Sequence, residues 1–298
     1  MPLNINTNAA ASAASYHLSK NNASLQKSLT RLSSGSRITQ PADDAGGLAV
    51  SMKLSGTINR LSGVEKNIDN AISFLQVQDG ILESGGKILD RMAELKALSQ
   101  DVLKNSSDIA NYNSEFKNLQ VQLFQMSESK FNGVSLFAST NATGDVTFNT
   151  SGSGNTVSIF TSATGESGSI VSINKSAMLA ALTIDATSGN VSNKKTFQNA
   201  ATSTTDEIRS FGSSTTESAF ELGDVSVAVF TQALQNIATL RAENGGSVSR
   251  LQFSKESAAA QRTNLEAANG RIMDVDIASE STALAKFNIL VQASASML

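Results

Sequence analysis

The chain of 298 residues contains no cysteine, no tryptophan and a single histidine, His17. Without cysteine it can form neither a disulfide nor a thiolate metal site, and it has no thiol nucleophile. One histidine excludes every metal motif that needs two and leaves a Ser-His-Asp triad with one candidate. We interpret His17 as a surface or interface residue of a helix, because no set of partner ligands accompanies it. These absences argue against an enzyme.

Long apolar runs and clusters of one charge are also missing. No stretch of about 20 apolar residues occurs that would span a bilayer, and the N-terminus lacks the charged and apolar regions of a Sec signal. The formal net charge is −3, with Lys and Arg scattered along the chain. The polar faces of the terminal segments carry Ser, Asn and Gln rather than Lys and Arg, which argues against membrane-active helices. We expect no nucleic acid, no membrane insertion and no cofactor.

Apolar residues recur every seven positions through the first third of the chain. One ladder comprises Leu54, Leu61, Ile68, Leu75, Leu82 and Leu89, and a second comprises Phe74, Ile81, Ile88, Leu95 and Val102. Such heptad spacing is typical of a long helix that packs through a seam, here predicted over about 45–103. Helical spacing predicts another helix over 108–129.

Both ends of the chain carry shorter ladders of the same kind. Near the N-terminus these are Leu18, Leu25 and Leu32; near the C-terminus they are Leu251, Ala258, Leu265 and Ile272, then Ile277, Leu284, Val291 and Leu298. Helical spacing also covers 222–243. Each end therefore has an apolar seam without a partner nearby in sequence. We expect the two ends to pair with each other or with other copies.

The middle of the chain, about 136–220, has a different pattern. Segments 157–160 and 170–173 resemble short strands between clusters of Gly, Ser, Thr and Asn. Just before them, Asn132-Gly133 predicts a type I′ hairpin turn. We interpret the Ser/Thr abundance as a solvated surface module in preference to a set of O-glycan attachment sites. The predicted fold is mainly α: a long antiparallel helical bundle with a small β-rich outer domain inserted in the middle.

The stretch RLSSGSRITQPADDAGG at 31–47 allows two interpretations. Asp43 and Asp44 could form a carboxylate site, but neighbours in sequence do not face one another on a helix. We favour a joint between two helices, in which Gly35 turns the chain, Pro41 stops a helix and one aspartate caps the next. The predicted joint and subunit-contact residues are Arg31, Gly35, Arg37, Pro41, Asp43, Asp44, Gly46 and Gly47. The two arginines are expected to pair with carboxylates of this or a neighbouring copy.

Several stretches, in order, resemble one family. RLSSGSRI at 31–38 followed by DDAGG at 43–47 resembles the N-terminal signature of bacterial flagellin. Four other stretches also resemble elements of this family: INTN at 5–8, FNGV at 131–134, AANGRIMDVD at 267–276 and NILVQA at 288–293. The resemblance covers roughly 1–135 and 222–298.

The resemblance implies a structural subunit that polymerises into the flagellar filament used for motility. It assigns 1–40 with 258–298 to the inner core, 41–135 with 221–257 to a helical bundle with a hairpin, and 136–220 to a variable outer domain. It implies an extracellular filament, export through the flagellar type III channel, and contact with a chaperone, a cap protein and a hook-junction protein. A hook–filament junction protein is the alternative function, ahead of an enzyme or a membrane-active protein.

Three departures from the family pattern carry expectations. Pro41-Ala42 should sharpen the break before the long helix. The family's Arg-Glu-Leu triplet, which animal innate receptors recognise, corresponds to Ala93, Glu94 and Leu95, and Arg91 matches an upstream family arginine. Without the guanidinium at Ala93, receptor contact should be weak. The chain stops at Leu298, earlier than is usual; if this form is natively short rather than incomplete, we expect reduced filament stability.

Overall fold

A computed structural model describes residues 9–138, 156–185 and 208–297, except 211, 214 and 218. The helices in these ranges are α1 Ala9–Ser34, α2 Ala45–Ser99, α3 Ser106–Ser127, α4 Met178–Ala181, α5 Val227–Met273 and α6 Ile277–Ser296. The strands are β1 Lys130–Phe131, β2 Val134–Ser135, β3 Thr156–Phe160, β4 Ile170–Asn174, β5 Thr183–Asp185 and β6 Ile208–Ser210. The predicted element at 5–8 and the last ladder residue, Leu298, lie outside the described residues.

Contacts within the chain divide it into two compact units. The terminal unit is Met1–Gly63 with Ala259–Leu298, and the central unit is Val64–Ala258. The C-terminal division falls within one residue of the predicted boundary between 257 and 258. The N-terminal division falls inside α2, after Gly63, and not at residue 40. One reason is that α2 is a single uninterrupted helix of 55 residues, so no loop marks the division.

In the central unit, α2 and α5 run antiparallel. Arg241 contacts Asp79 at 2.9 Å (Nε–Oδ1), and Lys255 contacts Asp69 at 2.6 Å (Nζ–Oδ1). Between these pairs, the buried Asn244 donates from Nδ2 to the carbonyl oxygen of Leu75 at 3.1 Å. Later residues of α5 thus contact earlier residues of α2, so the two helices are antiparallel.

The leucine ladder of α2 forms a buried stripe. Leu61, Ile68, Leu75, Leu82 and Leu89 are each at most 1% exposed. Leu54 is half-buried. A stripe that repeats every seven residues keeps one face of a helix against its partners, and its burial stabilises the helix more than intrinsic propensity does.

The prediction that this helix continues to 103 is wrong. Helix α2 ends at Ser99, and Val102, which continues the heptad spacing, is 97% exposed. In the following loop the Asp101 side chain accepts a hydrogen bond from the backbone N–H of Leu103 at 3.0 Å. Asn105 then caps α3 with a reciprocal capping box that includes Asp108. These local hydrogen bonds compete with continued helix.

Helix α3 packs antiparallel to α2 within the central unit. Phe116 and Leu123 are fully buried, and the Phe116 ring meets Phe230 of α5 edge to face at 6.1 Å. Gln120 is also fully buried; its side chain donates to and accepts from the backbone of Phe220, both at 2.9 Å. A buried amide whose donor and acceptor are both bonded stabilises one position of the segment at Phe220 on helix α3.

The strands form three separate two-stranded antiparallel sheets among the described residues. In the β1–β2 hairpin, Asn132 has φ 49° and Gly133 has φ 81°, as a type I′ turn requires. The predicted strand segments 157–160 and 170–173 lie in β3 and β4, which pair from Thr156↔Asn174 to Phe160↔Ile170.

The described part of 136–220 packs with the helices of the central unit. Leu136, Phe137, Met178 and Leu182 are each at most 1% exposed. Gln78 of α2 donates to the carbonyl oxygen of Leu136 at 2.7 Å, and Asn236 of α5 donates to that of Ala181 at 3.1 Å. Hence 136–138 and 176–182 contribute to the core and do not form a separate surface module. Residues 139–155 and 186–207 lie outside the described ranges.

In the terminal unit, α1 and α6 run antiparallel. The Asn21 side chain donates to Ser294 Oγ at 3.2 Å near one end, and Arg31 lies 3.9 Å from Glu280 near the other. Helix α6 has no fully buried residue: Leu284 and Val291 are half-buried, and Ile277 is 66% exposed. Ile277 is therefore exposed within this unit, and its place in the C-terminal core helix of the filament stays a prediction.

The buried stripe of α2 carries a stability prediction. Leu82→Ala should lower the free energy of unfolding of the full chain by about 2–5 kcal/mol, because it removes buried methyl groups and leaves a cavity. The measurement is urea denaturation followed by circular dichroism.

Val77→Ala is the matched control, because Val77 lies on the same helix and is 41% exposed. Its effect should stay within about 0.5 kcal/mol. If both variants lose the same free energy of unfolding, Leu82 does not lie in a buried seam.

Candidate functional site

In the terminal unit, the loop between α1 and α2 lies beside the loop between α5 and α6. Gly35 has φ +69°, a left-handed conformation that favours glycine, and its carbonyl oxygen accepts from the backbone N–H of Val275 at 3.0 Å. The backbone N–H of Arg37 donates to the carbonyl oxygen of Met273 at 2.6 Å. Ser36 and Asp274 form an antiparallel bridge between these bonds. We call these two loops, 35–44 and 272–276, the joint.

Arg37 joins the two loops through its side chain as well. Its Nε and Nη2 both donate to the carbonyl oxygen of Ile272, at 3.1 and 2.8 Å. Nη2 also lies 3.6 Å from Asp44 Oδ2. The guanidinium thus satisfies a carbonyl at the end of α5, where a cation is electrostatically favoured.

Asp43 organises its own loop. Its Oδ2 accepts from the backbone N–H and hydroxyl of Thr39, at 3.2 and 3.1 Å, and from the backbone N–H of Gln40 at 3.4 Å. Its Oδ1 contacts Lys27 Nζ at 2.5 Å and lies 3.9 Å from Arg31 Nη2. The hydrogen bond from Lys27, followed by that from the Thr39 backbone, holds the pKa of Asp43 well below its usual range.

Asp44, not Asp43, caps α2. Its Oδ1 accepts from the backbone N–H of Gly47 at 2.8 Å, in the first turn of the helix. A side chain at Gly47 would collide with the Asp44 carboxylate and press on the Ile38 side chain, which is 4% exposed. Glycine is therefore favoured at 47, because a larger residue would displace the Asp44 side chain that caps α2. Gly46 has only ordinary contact distances, so space does not require glycine there.

Pro41 lies in a tight turn in which the backbone N–H of Asp43 donates to the carbonyl oxygen of Gln40 at 2.9 Å. Proline at the second position of such a turn is favoured, because its ring presets φ. The turn separates the loop from the start of α2 at Ala45.

Arg31 connects α1 with the second loop and with α6. Its guanidinium lies between Asp43 and Glu280, 3.9 Å from each, and its Nε has no hydrogen-bond partner among the described residues. On the other side, Asp276 caps α6 by accepting from Ala278 N at 3.1 Å and Ser279 Oγ at 2.6 Å. The bond from Ser279 lowers the pKa of Asp276 most.

The residues that the sequence assigned to the joint lie in its first loop or in the adjoining turns of α1 and α2. Their contacts with other copies stay a prediction. Both aspartates are engaged in structural hydrogen bonds, which leaves no free acid and base pair. Sequence reasoning missed Lys27, Thr39 and Ile272 as partners. Lys27 lies four residues before Arg31, so its place on the same face of α1 was available as a signal.

Other predicted sites lie elsewhere. His17 is exposed on α1, with its ring edge to face with Tyr16 at 5.7 Å. Arg91 contacts Glu94 and Glu115, both at 2.8 Å, and these carboxylates, Glu115 first, raise the pKa of Arg91. Leu95 is fully buried, so it belongs to the seam and not to a receptor-facing surface.

Within the described ranges, no group of three His, Cys, Asp or Glu side chains is placed to hold a metal ion. No helix in those ranges is both long and apolar enough to cross a membrane.

Comparison with known proteins matches both ends of the chain. The bacterial flagellin N-terminal helical region matches residues 5–142, and the bacterial flagellin C-terminal helical region matches 227–298. A flagellin of Bacillus subtilis is 31% identical over 301 residues, covering 99% of this chain and 95% of the relative. A flagellar filament 33 kDa core protein of Treponema phagedenis is 27% identical over 300 residues, covering 99% and 94%.

Among solved structures, a flagellin of Bacillus cereus is similar with a TM-score of 0.43 and 22% identity. That match covers 68% of this chain and 94% of the other.

The hydrogen bonds of Asp43 predict a pH dependence. A carboxylate whose pKa is lower in the folded state stabilises that state above its unfolded pKa of about 3.9, and the contribution is lost as pH falls through the folded pKa. Asp43→Asn should therefore lower the melting temperature of the assembled chain at about pH 6, and the gap to wild type should close progressively below about pH 4.

Circular dichroism at 222 nm during heating measures this gap. Asp90→Asn, at an exposed position of α2, controls for the loss of one negative charge. A gap that stays constant from about pH 6 to about pH 2 would mean that ionised Asp43 does not stabilise the joint.

Proposed function

The chain belongs to the bacterial flagellin family, and we propose that it polymerises into the flagellar filament through its paired terminal helices, with the joint holding them in register. Members of this family serve as structural subunits of the flagellar filament. The residue roles given to the joint are our proposal.

The observation that supports this proposal most is the exposed apolar surface of the α1–α6 pair. Tyr16 is 66% exposed, Leu29 57% and Ile289 66%. Two helices alone cannot cover both of their apolar stripes, so such a pair is stable only when further copies pack against it. Because a helical polymer does not close, these contacts must join different surfaces of successive copies.

The same surface is consistent with export before assembly. Terminal segments that bury little apolar area do not fold by themselves and would order on joining the filament. We propose that the chain leaves the cell through the flagellar type III channel, is held by an export chaperone, and is added under a cap protein beyond a hook-junction protein. An enzymatic role is not proposed, since both aspartates of the joint are engaged in structural hydrogen bonds.

A double variant tests the role of the joint. Asp43→Ala with Asp44→Ala removes the carboxylate that receives Lys27 together with the cap of α2. Filament assembly and motility should be impaired, because α1 and α2 lose their fixed connection. Secretion should stay near normal, because an exported chain is unfolded when it passes the channel. Electron microscopy of cells and the amount of the protein in the medium measure the two effects.

Asp90→Ala with Glu128→Ala is the matched control: it removes two carboxylates at exposed positions of the central unit. Normal filaments are expected from it. If the Asp43/Asp44 variant also forms normal filaments, the joint has no role in assembly.

We also propose that contact with animal innate receptors is weak. Arg91 is held by Glu94 and Glu115, and Ala93 offers a methyl group where the family has a guanidinium. Ala93→Arg should raise signalling in a receptor reporter-cell assay, because it adds charge-assisted donors. Strong signalling by the wild-type protein, unchanged by Ala93→Arg, would refute this proposal.

A further inference from the structure

Three asparagines of the chain are followed directly by glycine, in the pairs Asn132-Gly133, Asn244-Gly245 and Asn269-Gly270. An asparagine in this context can react with its own main chain, because the backbone nitrogen of the next residue can attack the side-chain amide carbon and close a succinimide ring. Glycine favours the attack, since it has no Cβ to crowd the approach. The reaction requires that this nitrogen is free of hydrogen bonds and that the asparagine side chain can turn towards it. The three pairs differ in both respects.

Two of the pairs lie inside α5, where both reacting groups are engaged. Asn244 is 4% exposed, and its Nδ2 donates to the carbonyl oxygen of Leu75 at 3.1 Å. Asn269 is half-buried, and its Oδ1 accepts from Ser51 Oγ at 2.7 Å. The glycines that follow them are interior residues of the same helix, in which each backbone N–H donates to the carbonyl oxygen four residues earlier. Attack at these pairs therefore requires the helix to open and the asparagine to leave its partner.

The third pair forms the exposed turn of the β1–β2 hairpin. Apart from its neighbours in the chain, no atom lies within 4 Å of the place where a Cβ on Gly133 would stand. Neither the Asn132 side chain nor the Gly133 N–H is hydrogen-bonded to another described residue. The two strands that close the turn are only 2 residues long each. So short a hairpin opens locally more easily than a long helix does, which lets the side chain and the nitrogen meet.

We propose that Asn132 is a site of spontaneous covalent modification. The backbone nitrogen of Gly133 attacks Asn132 Cγ, and the new N–C bond closes the succinimide. The side-chain nitrogen leaves as ammonia and takes with it the proton of the Gly133 N–H. The step involves no oxidation or reduction and no other chain, so it goes beyond the proposed function and does not depend on polymerisation.

Water completes the modification by adding to a ring carbonyl and breaking its bond to the nitrogen. Opening at the side-chain carbonyl leaves aspartate at 132. Opening at the main-chain carbonyl leaves isoaspartate, in which the main chain runs through the former side-chain carbon. Each route consumes water, and both products carry a negative charge where the amide was neutral.

Isoaspartate changes the hairpin more than aspartate does. It lengthens the main chain of the turn by one methylene group, whereas a type I′ turn connects its strands through two ordinary residues with positive φ. The pair Phe131↔Val134 closes this turn, and the Phe131 ring packs edge to face on Phe74 of α2 at 6.0 Å. Isoaspartate at 132 therefore weakens the strand pairing that holds this ring against the helix.

Peptide mass spectrometry of the incubated full-length protein tests the proposal. One sample is kept folded in mildly alkaline buffer and another is unfolded in urea, and aspartate and isoaspartate are quantified at the three asparagines over time. The ratio of the unfolded to the folded rate measures the protection of each site. Protection should be at least about tenfold smaller at Asn132 than at Asn244 or Asn269, because a helical pair reacts only while its helix is open. Protection of Asn132 as large as that of the two helical sites would overturn the inference.

Asn132→Gly is the matched control, because Gly-Gly also forms a type I′ turn but has no side-chain amide to react. Total isoaspartate in the folded chain is measured by labelling with an isoaspartyl methyltransferase. After the same incubation, the label in this variant should stay at the level of freshly made protein, while the wild-type chain gains label. If the variant gains as much label as wild type, the isoaspartate forms elsewhere and the assignment to Asn132 is wrong.

Discussion

The structure depends on the pairing of one end of the chain with the other. The buried stripe of α2 is covered with help from α5, and α1 lies against α6, so the partner segments are more than 150 residues apart in sequence. Closing so long a loop adds little entropy cost beyond that of a shorter one, since the cost grows only with the logarithm of length. The more important constraint is that the helices at each end of the chain have no packing partner until the other end has been made. This constraint makes the stability of each end of the chain depend on the other.

A leucine stripe alone does not choose one alignment of two helices, because a shift by seven residues restores the same pattern. Buried amide side chains provide the choice in the central unit. Asn244 donates a hydrogen bond to the carbonyl oxygen of Leu75, and Asn236 donates one to that of Ala181. Gln120 donates one to the carbonyl oxygen of Phe220. A shift would leave these amides buried without partners, which costs more than their bonds contribute. In the terminal unit the joint serves the same purpose through backbone bonds from Val275 and Arg37.

Much of this architecture can be read from spacing. The heptads predict the helices, Asn132-Gly133 predicts the hairpin, and RLSSGSRITQPADDAGG predicts a joint. Spacing fails where local hydrogen bonds compete, as at Val102, which fits the ladder but follows the end of α2. It also does not tell which aspartate caps the helix, because that depends on where Lys27 and Thr39 lie in space. The packing of 136–138 and 176–182 against the helices was not predictable either, because such short segments have no period that identifies the buried face.

Hydrogen exchange tests the mutual dependence of the two chain ends most directly. Leu251, fully buried on α5, can be changed to alanine in the full-length chain, and amide protection can be followed by mass spectrometry along both helices of the central unit. If α2 and α5 stabilise one another, Leu251→Ala should reduce protection in α2 around 68–82 as much as in α5 around 240–255. A loss confined to α5, with α2 as protected as in wild type, would contradict the account.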